Sequence, residues 1–272
     1  MGTPTDDYIL GRTSAEYQRL RTQAKVWEEA TKRVLLKAGL HTGMSCLDIG
    51  CGPGEVMRLM GEVVGPEGSV TGVDVDGDIG REALDVLRST ASGQYAFHEM
   101  DVESSDQVPG SPFDVAFARI TLFHLKEPVA FLRKMMKWTK PGGIIVVQEY
   151  DFESWEAYPK LDEMSEAIQT FRTVAERVGH DARLGFKLPT YFIEAGLGAP
   201  DGTDVAALLY EIAVGDLTQA VYNSIFPMAQ RLGIADEASR QRILGAIDEA
   251  IQAGGFFGLS PLLIGVWKCR SL

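Results

Sequence analysis

Residues Cys46 to Glu55 read CLDIGCGPGE: an apolar run containing an acid, three glycines at alternate positions and the opening of a helix. Gly50, Gly52 and Gly54 remove three Cβ atoms where a strand must turn into a helix, so a ligand can lie against bare backbone at that helix's N-terminus. A carboxylate at Asp48, aimed into the turn, repels a pyrophosphate and attracts a cation. A second acid, Asp74, closes the segment SVTGVD 26 residues further on, about one βαβ unit. An acid at the tip of a second strand accepts hydrogen bonds from ribose hydroxyls. The glycine spacing is G-x-G-x-G, not the G-x-G-x-x-G of the dinucleotide fingerprint. A nucleoside that carries positive charge meets both demands, and S-adenosylmethionine, with its sulfonium and ammonium, is such a molecule.

Elements able to hold these residues can be read on either side. Ser45 to Ile49 is a short apolar strand, and Val56, Leu59, Met60, Val63 and Val64 recur with helical period behind the glycines. A Pro/Gly turn then leads to the strand Ser69 to Val73. Ser14 to Ala38 has helical spacing throughout and is stopped by Gly39. Beyond a fifth strand at Ile144 to Tyr150, the pattern predicts helices over Leu161 to Val178 and Pro189 to Ala195. It then predicts a strand over Asp204 to Ile212, helices over Leu217 to Leu232 and Glu237 to Ala253, and a last strand over Pro261 to Cys269.

With LDIGCGPG followed by GVDVD, the chain resembles the class I S-adenosylmethionine-dependent methyltransferases. Three further segments come in family order: YAFHEMDVES, FDVAFARITLFHL and LRKMMKWTKPGGIIVVQEYDF. The opening YILGRTSAEYQRLRTQAKVW resembles the N-terminal helix of bacterial small-molecule members close to the ubiquinone and menaquinone methyltransferases. The resemblance implies an α/β, Rossmann-like sandwich with a seven-stranded, mostly parallel sheet whose last strand is antiparallel. It also implies an N-terminal helical lid over 1–40, a cofactor-binding βα core over 41–152, and helical cap insertions with the last two strands over 153–272. Cofactor contacts implied are Asp48, Gly50, Gly52, Gly54, Asp74 and Val75, with Asp101 and Val102 meeting the adenine, the backbone near Arg119 holding the methionine end, and Tyr8 on the lid. The product would be S-adenosyl-L-homocysteine.

Catalytic candidates lie at the carboxyl edge of the sheet, where ligands bind in open α/β folds. His124, in the loop after the fourth strand, is a candidate general base or substrate donor, against a purely structural histidine. Glu149 and Asp151 share one side of the fifth strand by alternation, and either orients an acceptor, takes a proton or caps the next helix. Arg119 pairs with Asp114 or with the cofactor's carboxylate, and Asp78 caps the helix after the second strand. Cys51 is read as a small residue tolerated in the turn.

Composition narrows the partners. The 272 residues are 45% hydrophobic and carry a formal charge of −12, without a compensating basic run. Phosphate backbones and anionic membranes repel such a chain, which leaves a small-molecule substrate, and homo-oligomers stay open. Three cysteines without a C-x-x-C pair fit a reducing cytoplasm. The four histidines are scattered, so no metal is expected. The sequence therefore points to methyl transfer to an O, N or C atom of a small, apolar or aromatic metabolite, in a secondary-metabolic setting. Alternatives are a cyclisation or rearrangement that keeps the cofactor, a non-catalytic binder of it, and a nicotinamide oxidoreductase.

Overall fold

The computed structural model describes residues 14–91, 93–213 and 217–271. Its first elements are α1 (Ser14–Val26), α2 (Glu28–Ala38), β1 (Ser45–Ile49), α3 (Glu55–Val64), β2 (Ser69–Asp74), α4 (Gly77–Thr90) and β3 (Gln94–Glu99). The chain continues through β4 (Phe113–Arg119), a 3₁₀ turn (Leu122–His124), α5 (Pro128–Trp138), β5 (Thr139–Asp151), β6 (Glu156–Tyr158) and α6 (Asp162–Arg177). Last come α7 (Leu184–Glu194), β7 (Gly202–Ala206), β8 (Leu209–Glu211), α8 (Leu217–Arg231), α9 (Glu237–Ala253), β9 (Phe257–Leu259) and β10 (Leu262–Cys269).

Two compact units result. The first comprises Gln23–Glu149, Leu184–Val205 and the residues from Leu263 onward. It holds a seven-stranded sheet in the order β3-β2-β1-β4-β5-β10-β7, in which β10 runs antiparallel to β5 and β7. This is the expected Rossmann-like architecture. The order in which strands are added reverses between the parallel neighbours β1 and β4, and outside the carboxyl ends of strands at such a switch point an open α/β sheet takes its ligand.

Strand alternation divides the core. Cys46, Val70, Tyr95, Val115, Phe117, Ile144 and Val146 share one face and pack with Val34 and Leu35 of α2, and with Val56, Met57, Met60 and Val64 of α3. Leu47, Ile49, Ala116, Ala118, Ile145 and Val147 point the other way and are buried as well, as the two-sided cover of a parallel sheet requires. Polar ties fix α2 on its face. Asp204 of β7, 8% exposed, accepts from Arg33 Nη2 and Lys37 Nζ, both at 2.6 Å. Thr31 Oγ1, fully buried, accepts from Arg119 Nη1 at 2.9 Å.

Several boundaries differ from the sequence pattern. The first helical run is interrupted at Trp27, a buried ring at φ −100°, ψ 9°, across which Thr31 N still reaches the Trp27 carbonyl at 2.9 Å. Pro189 lies inside α7 instead of starting it, because Leu184, Leu188 and Phe192 form one buried stripe on both sides of the proline. The register passes from Phe113–Thr139 to Val115–Ile144, so the KPGG turn is absorbed into β5 as a bulge. The run Asp204 to Ile212 is not one strand. It yields β7 and, after a break, β8 in a separate sheet.

The second unit contains residues 14–22, Tyr150–Arg183 and, among the described residues, Ala206–Leu262. Beside the expected helices it holds a three-stranded antiparallel sheet, β6-β9-β8, whose three-residue strands are too short for alternation to register in the sequence. Phe152, Trp155 and Phe171 form its aromatic core, with Phe152 and Phe171 centroids 4.6 Å apart. An Asp236–Ser239 capping box starts α9 at the expected residue. Among the described residues, no helix is long and apolar enough to cross a membrane.

Candidate functional site

The β1-to-α3 turn is fastened to the tip of β2. Gly50 N and Cys51 N both donate to the Val73 carbonyl, at 2.8 and 3.1 Å, and Gly52 N donates to Asp74 Oδ2 at 2.8 Å. Asp74 Oδ1 accepts from Asp76 N at 2.8 Å, so one carboxylate organises two turns. Gly50 and Gly54 are required as glycines. Both have positive φ, +69° and +77°, and an added Cβ would come within 2.5 Å of Thr121 Oγ1 at Gly50 and 2.9 Å of Ala83 Cβ at Gly54. At Gly52 an added Cβ would meet no described atom within 4 Å, which makes this the open side of the cradle.

Asp48 lies behind that turn, 2% exposed. Burial pushes its carboxyl up to about 7; the charge of Arg119 and a hydrogen bond from the Met57 peptide N–H oppose the rise, and Asp74 adds to it. Its Oδ2 has no hydrogen-bond partner among the described residues. A buried acceptor of this kind, beside an open glycine turn, fits a cationic ligand and disfavours a pyrophosphate. Val75, 43% exposed, follows Asp74 at the end of β2.

The loop after β3 is held from α5. Asp101 is exposed and its Oδ1 accepts from Glu103 N at 2.9 Å, while Val102 is buried. Lys134 Nζ donates to the carbonyls of Val102, Glu103 and Ser105 at 3.3, 2.5 and 3.0 Å, and Trp138 Nε1 to that of Asp106 at 3.0 Å. Nothing local in the sequence marks Lys134 for this role, since the carbonyls lie about 30 residues away.

The loop after β4 brings the remaining candidates together. His124 ends the 3₁₀ turn, half-buried, with the Phe123 ring edge-on at 5.3 Å. Glu149, 1% exposed, accepts at Oε1 from Thr121 N and Leu122 N at 2.8 and 2.6 Å. Burial pushes its carboxyl up to about 8 against those bonds.

Two smaller expectations are corrected. Arg119 does not pair with Asp114, which instead binds Lys140 at 2.8 Å and Ser45 at 2.7 Å. Arg119 turns to Thr31 and to the field of Asp48. The cap of α4 is Asp76, whose Oδ1 accepts from Asp78 N and Ile79 N, whereas Asp78 pairs with Arg81 at 2.7 Å. Cys51 is buried with its thiol pushed well up by desolvation, which makes it a poor nucleophile. No group of three or more His, Cys, Asp or Glu side chains able to hold a metal occurs among the described residues. Tyr8 lies outside them.

Comparison with known proteins places this geometry. The family model described as Methyltransferase domain matches residues 40–196. Phosphoethanolamine N-methyltransferase 1 of Arabidopsis thaliana is 32% identical over 124 residues, 45% of this chain and 24% of that protein. The demethylmenaquinone methyltransferase of Staphylococcus aureus is 28% identical over 149 residues, 52% of this chain and 58% of that one. The chain thus spans about a quarter and under two thirds of these relatives. Among solved structures, phosphoethanolamine N-methyltransferase 2 of Haemonchus contortus superposes with a TM-score of 0.53 at 15% identity, covering 90% of this chain and 53% of that one.

Proposed function

This chain belongs to the methyltransferase-domain family, and from that membership we propose that it moves a methyl group from S-adenosylmethionine to an O, N or C atom of a small acceptor. When bound, S-adenosylmethionine supplies a methyl group made electrophilic by the sulfonium. The observation that carries the reading is Asp48 Oδ2, a buried oxygen without a hydrogen-bond partner among the described residues, behind an open glycine turn. Asp48 and the turn would hold the cationic amino-acid end, Asp74 and Val75 the ribose side, and Asp101 and Val102 the adenine. A similar protein supports the donor: the Haemonchus enzyme was solved with S-adenosylhomocysteine.

The chain's own task is then alignment and exclusion of water, which together supply roughly 7–11 kcal/mol of barrier reduction. His124, at the sheet's carboxyl edge, takes the proton when the acceptor is a hydroxyl or a carbon acid. A small acceptor follows from the net charge of −12, which repels polyanions. An apolar or aromatic metabolite, of the kind secondary metabolism supplies, is the acceptor class this reading favours.

Calorimetry with S-adenosylmethionine, S-adenosylhomocysteine and NADH tests the donor. Micromolar binding of the first two and none of NADH is expected, and tight NADH binding with neither of the others would refute it. His124→Ala should lower incorporation of labelled methyl groups into extract metabolites while leaving S-adenosylhomocysteine affinity in place. Unchanged incorporation removes His124 from the reaction.

A further inference from the structure

The chain leaves β4 through a conformation that must be held from outside. Ile120 sits at φ +54°, a left-handed geometry that a β-branched residue adopts only when its surroundings over-determine it. Three attachments do so. Ile120 N donates to the Gln148 carbonyl at 2.8 Å, and Thr121 Oγ1 donates to the Ile49 carbonyl at 3.0 Å. The N–H groups of Thr121 and Leu122 converge on Glu149 Oε1, at 2.8 and 2.6 Å.

The same loop borders the cofactor cradle on one side and ends in His124 on the other. Thr121 Oγ1 occupies the space that a side chain at Gly50 would need. Whatever places Thr121 therefore shapes the glycine turn, and whatever places the 3₁₀ turn places His124.

The geometry points to Glu149 as a positioning residue: its Oε1 holds two peptide groups of the post-β4 loop, and through them the glycine turn and His124. It does not take a proton from the acceptor. One oxygen is committed to two peptide donors, and Oε2, buried, has no partner among the described residues. Burial also raises the group's affinity for its own proton, so near neutral pH Oε1 serves as the carbonyl oxygen of a neutral acid. The inference rests on the S-adenosylmethionine reading for its ligand, but not for its geometry.

The full chain with Glu149→Gln, Glu149→Ala, Thr121→Ser or Thr121→Ala, titrated with S-adenosylhomocysteine, provides the test. The amide oxygen of Glu149→Gln can accept the same two bonds, so its affinity should stay within ~3-fold of wild type, whereas Glu149→Ala should lose at least ~10-fold. Thr121→Ser should behave as wild type, and Thr121→Ala should weaken binding several-fold. Amide hydrogen exchange at Thr121 and Leu122 supplies a reading without ligand: protection kept in Glu149→Gln and lost in Glu149→Ala.

A Glu149→Gln variant as weak as Glu149→Ala, or a Glu149→Ala variant that binds as wild type, overturns the inference. If Glu149→Ala does not fold, Glu149→Gln and the Thr121 pair decide it alone. Failure of wild type to bind S-adenosylhomocysteine would refute the parent reading, and exchange at the two amides would still judge the role of Glu149.

Discussion

Replacing Asp48 with asparagine should abolish a proton that S-adenosylmethionine binding otherwise expels. The carboxyl is buried and pushed up to about 7, with Arg119 drawing it down and Asp74 raising it. In the ligand-free protein a group with that value is ~90% protonated at pH 6, half protonated at pH 7 and ~10% protonated at pH 8. A cation seated against Oδ2 requires the ionised form. Binding should therefore release ~0.9 proton at pH 6, ~0.5 at pH 7 and ~0.1 at pH 8, and affinity should fall as pH drops below 7. Titration calorimetry in paired buffers of different ionisation enthalpy counts these protons. The wild-type count minus the Asp48→Asn count isolates Asp48 from the ligand's own ammonium. The variant should also lose about 1.5–3 kcal/mol of binding, a factor of roughly 10 to 160, as one charge-assisted hydrogen bond disappears. Equal proton counts in the two proteins across this range would refute the contact.

Asp74→Ala should weaken S-adenosylhomocysteine binding by roughly 1–3 kcal/mol, since the carboxylate is expected on the ribose and also fastens Gly52 N and Asp76 N; an unchanged calorimetric Kd would remove Asp74 from the site. Glu149 has a folded-state value raised from 4.5 to about 8, so its stabilising contribution is complete below about 4.5 and is lost as pH rises through about 8. The melting temperature of wild type should accordingly fall relative to Glu149→Gln between pH 5 and pH 9, and a pH-independent difference would contradict the assignment. Asp204 is lowered by Arg33 and Lys37, so its contribution is present above the unfolded value and is lost as pH falls through the folded one. Asp204→Ala should cost about 1–3 kcal/mol in urea unfolding near neutral pH, toward the low end because both cations are half exposed, with the difference from wild type shrinking in acid.

The glycine turn and the acids beside it were legible because everything that defines them is local. Asp48, the three glycines and α3 occupy one continuous run, and Asp74 comes at the length of a single βαβ unit. Helices with apolar periodicity were equally plain, as the Glu237 start of α9 illustrates. Side-chain pairings across long separations were not disclosed: Thr31 with Arg119, Lys37 with Asp204, and Glu149 with the peptide groups of Thr121 and Leu122. Such contacts exist only once the sheet has brought β4, β5 and β7 together. One error was avoidable. Arg119 and Asp114 are five positions apart on one strand, an odd number that puts them on opposite faces and roughly 16 Å apart, so strand period alone rules out their pairing. The break between β7 and β8 had no such signal, because the run from Asp204 to Ile212 contains neither glycine nor proline.

The burial of Cys51 has a practical corollary. With Cys46 and Cys51 sealed inside and Cys269 at the surface, a thiol reagent added to the native chain modifies one sulfur at once and reaches the others only when the interior breathes. Because Cys51 belongs to the cradle itself, the pace of its alkylation clocks how often that hinge of backbone opens, and a seated ligand registers as a slower clock.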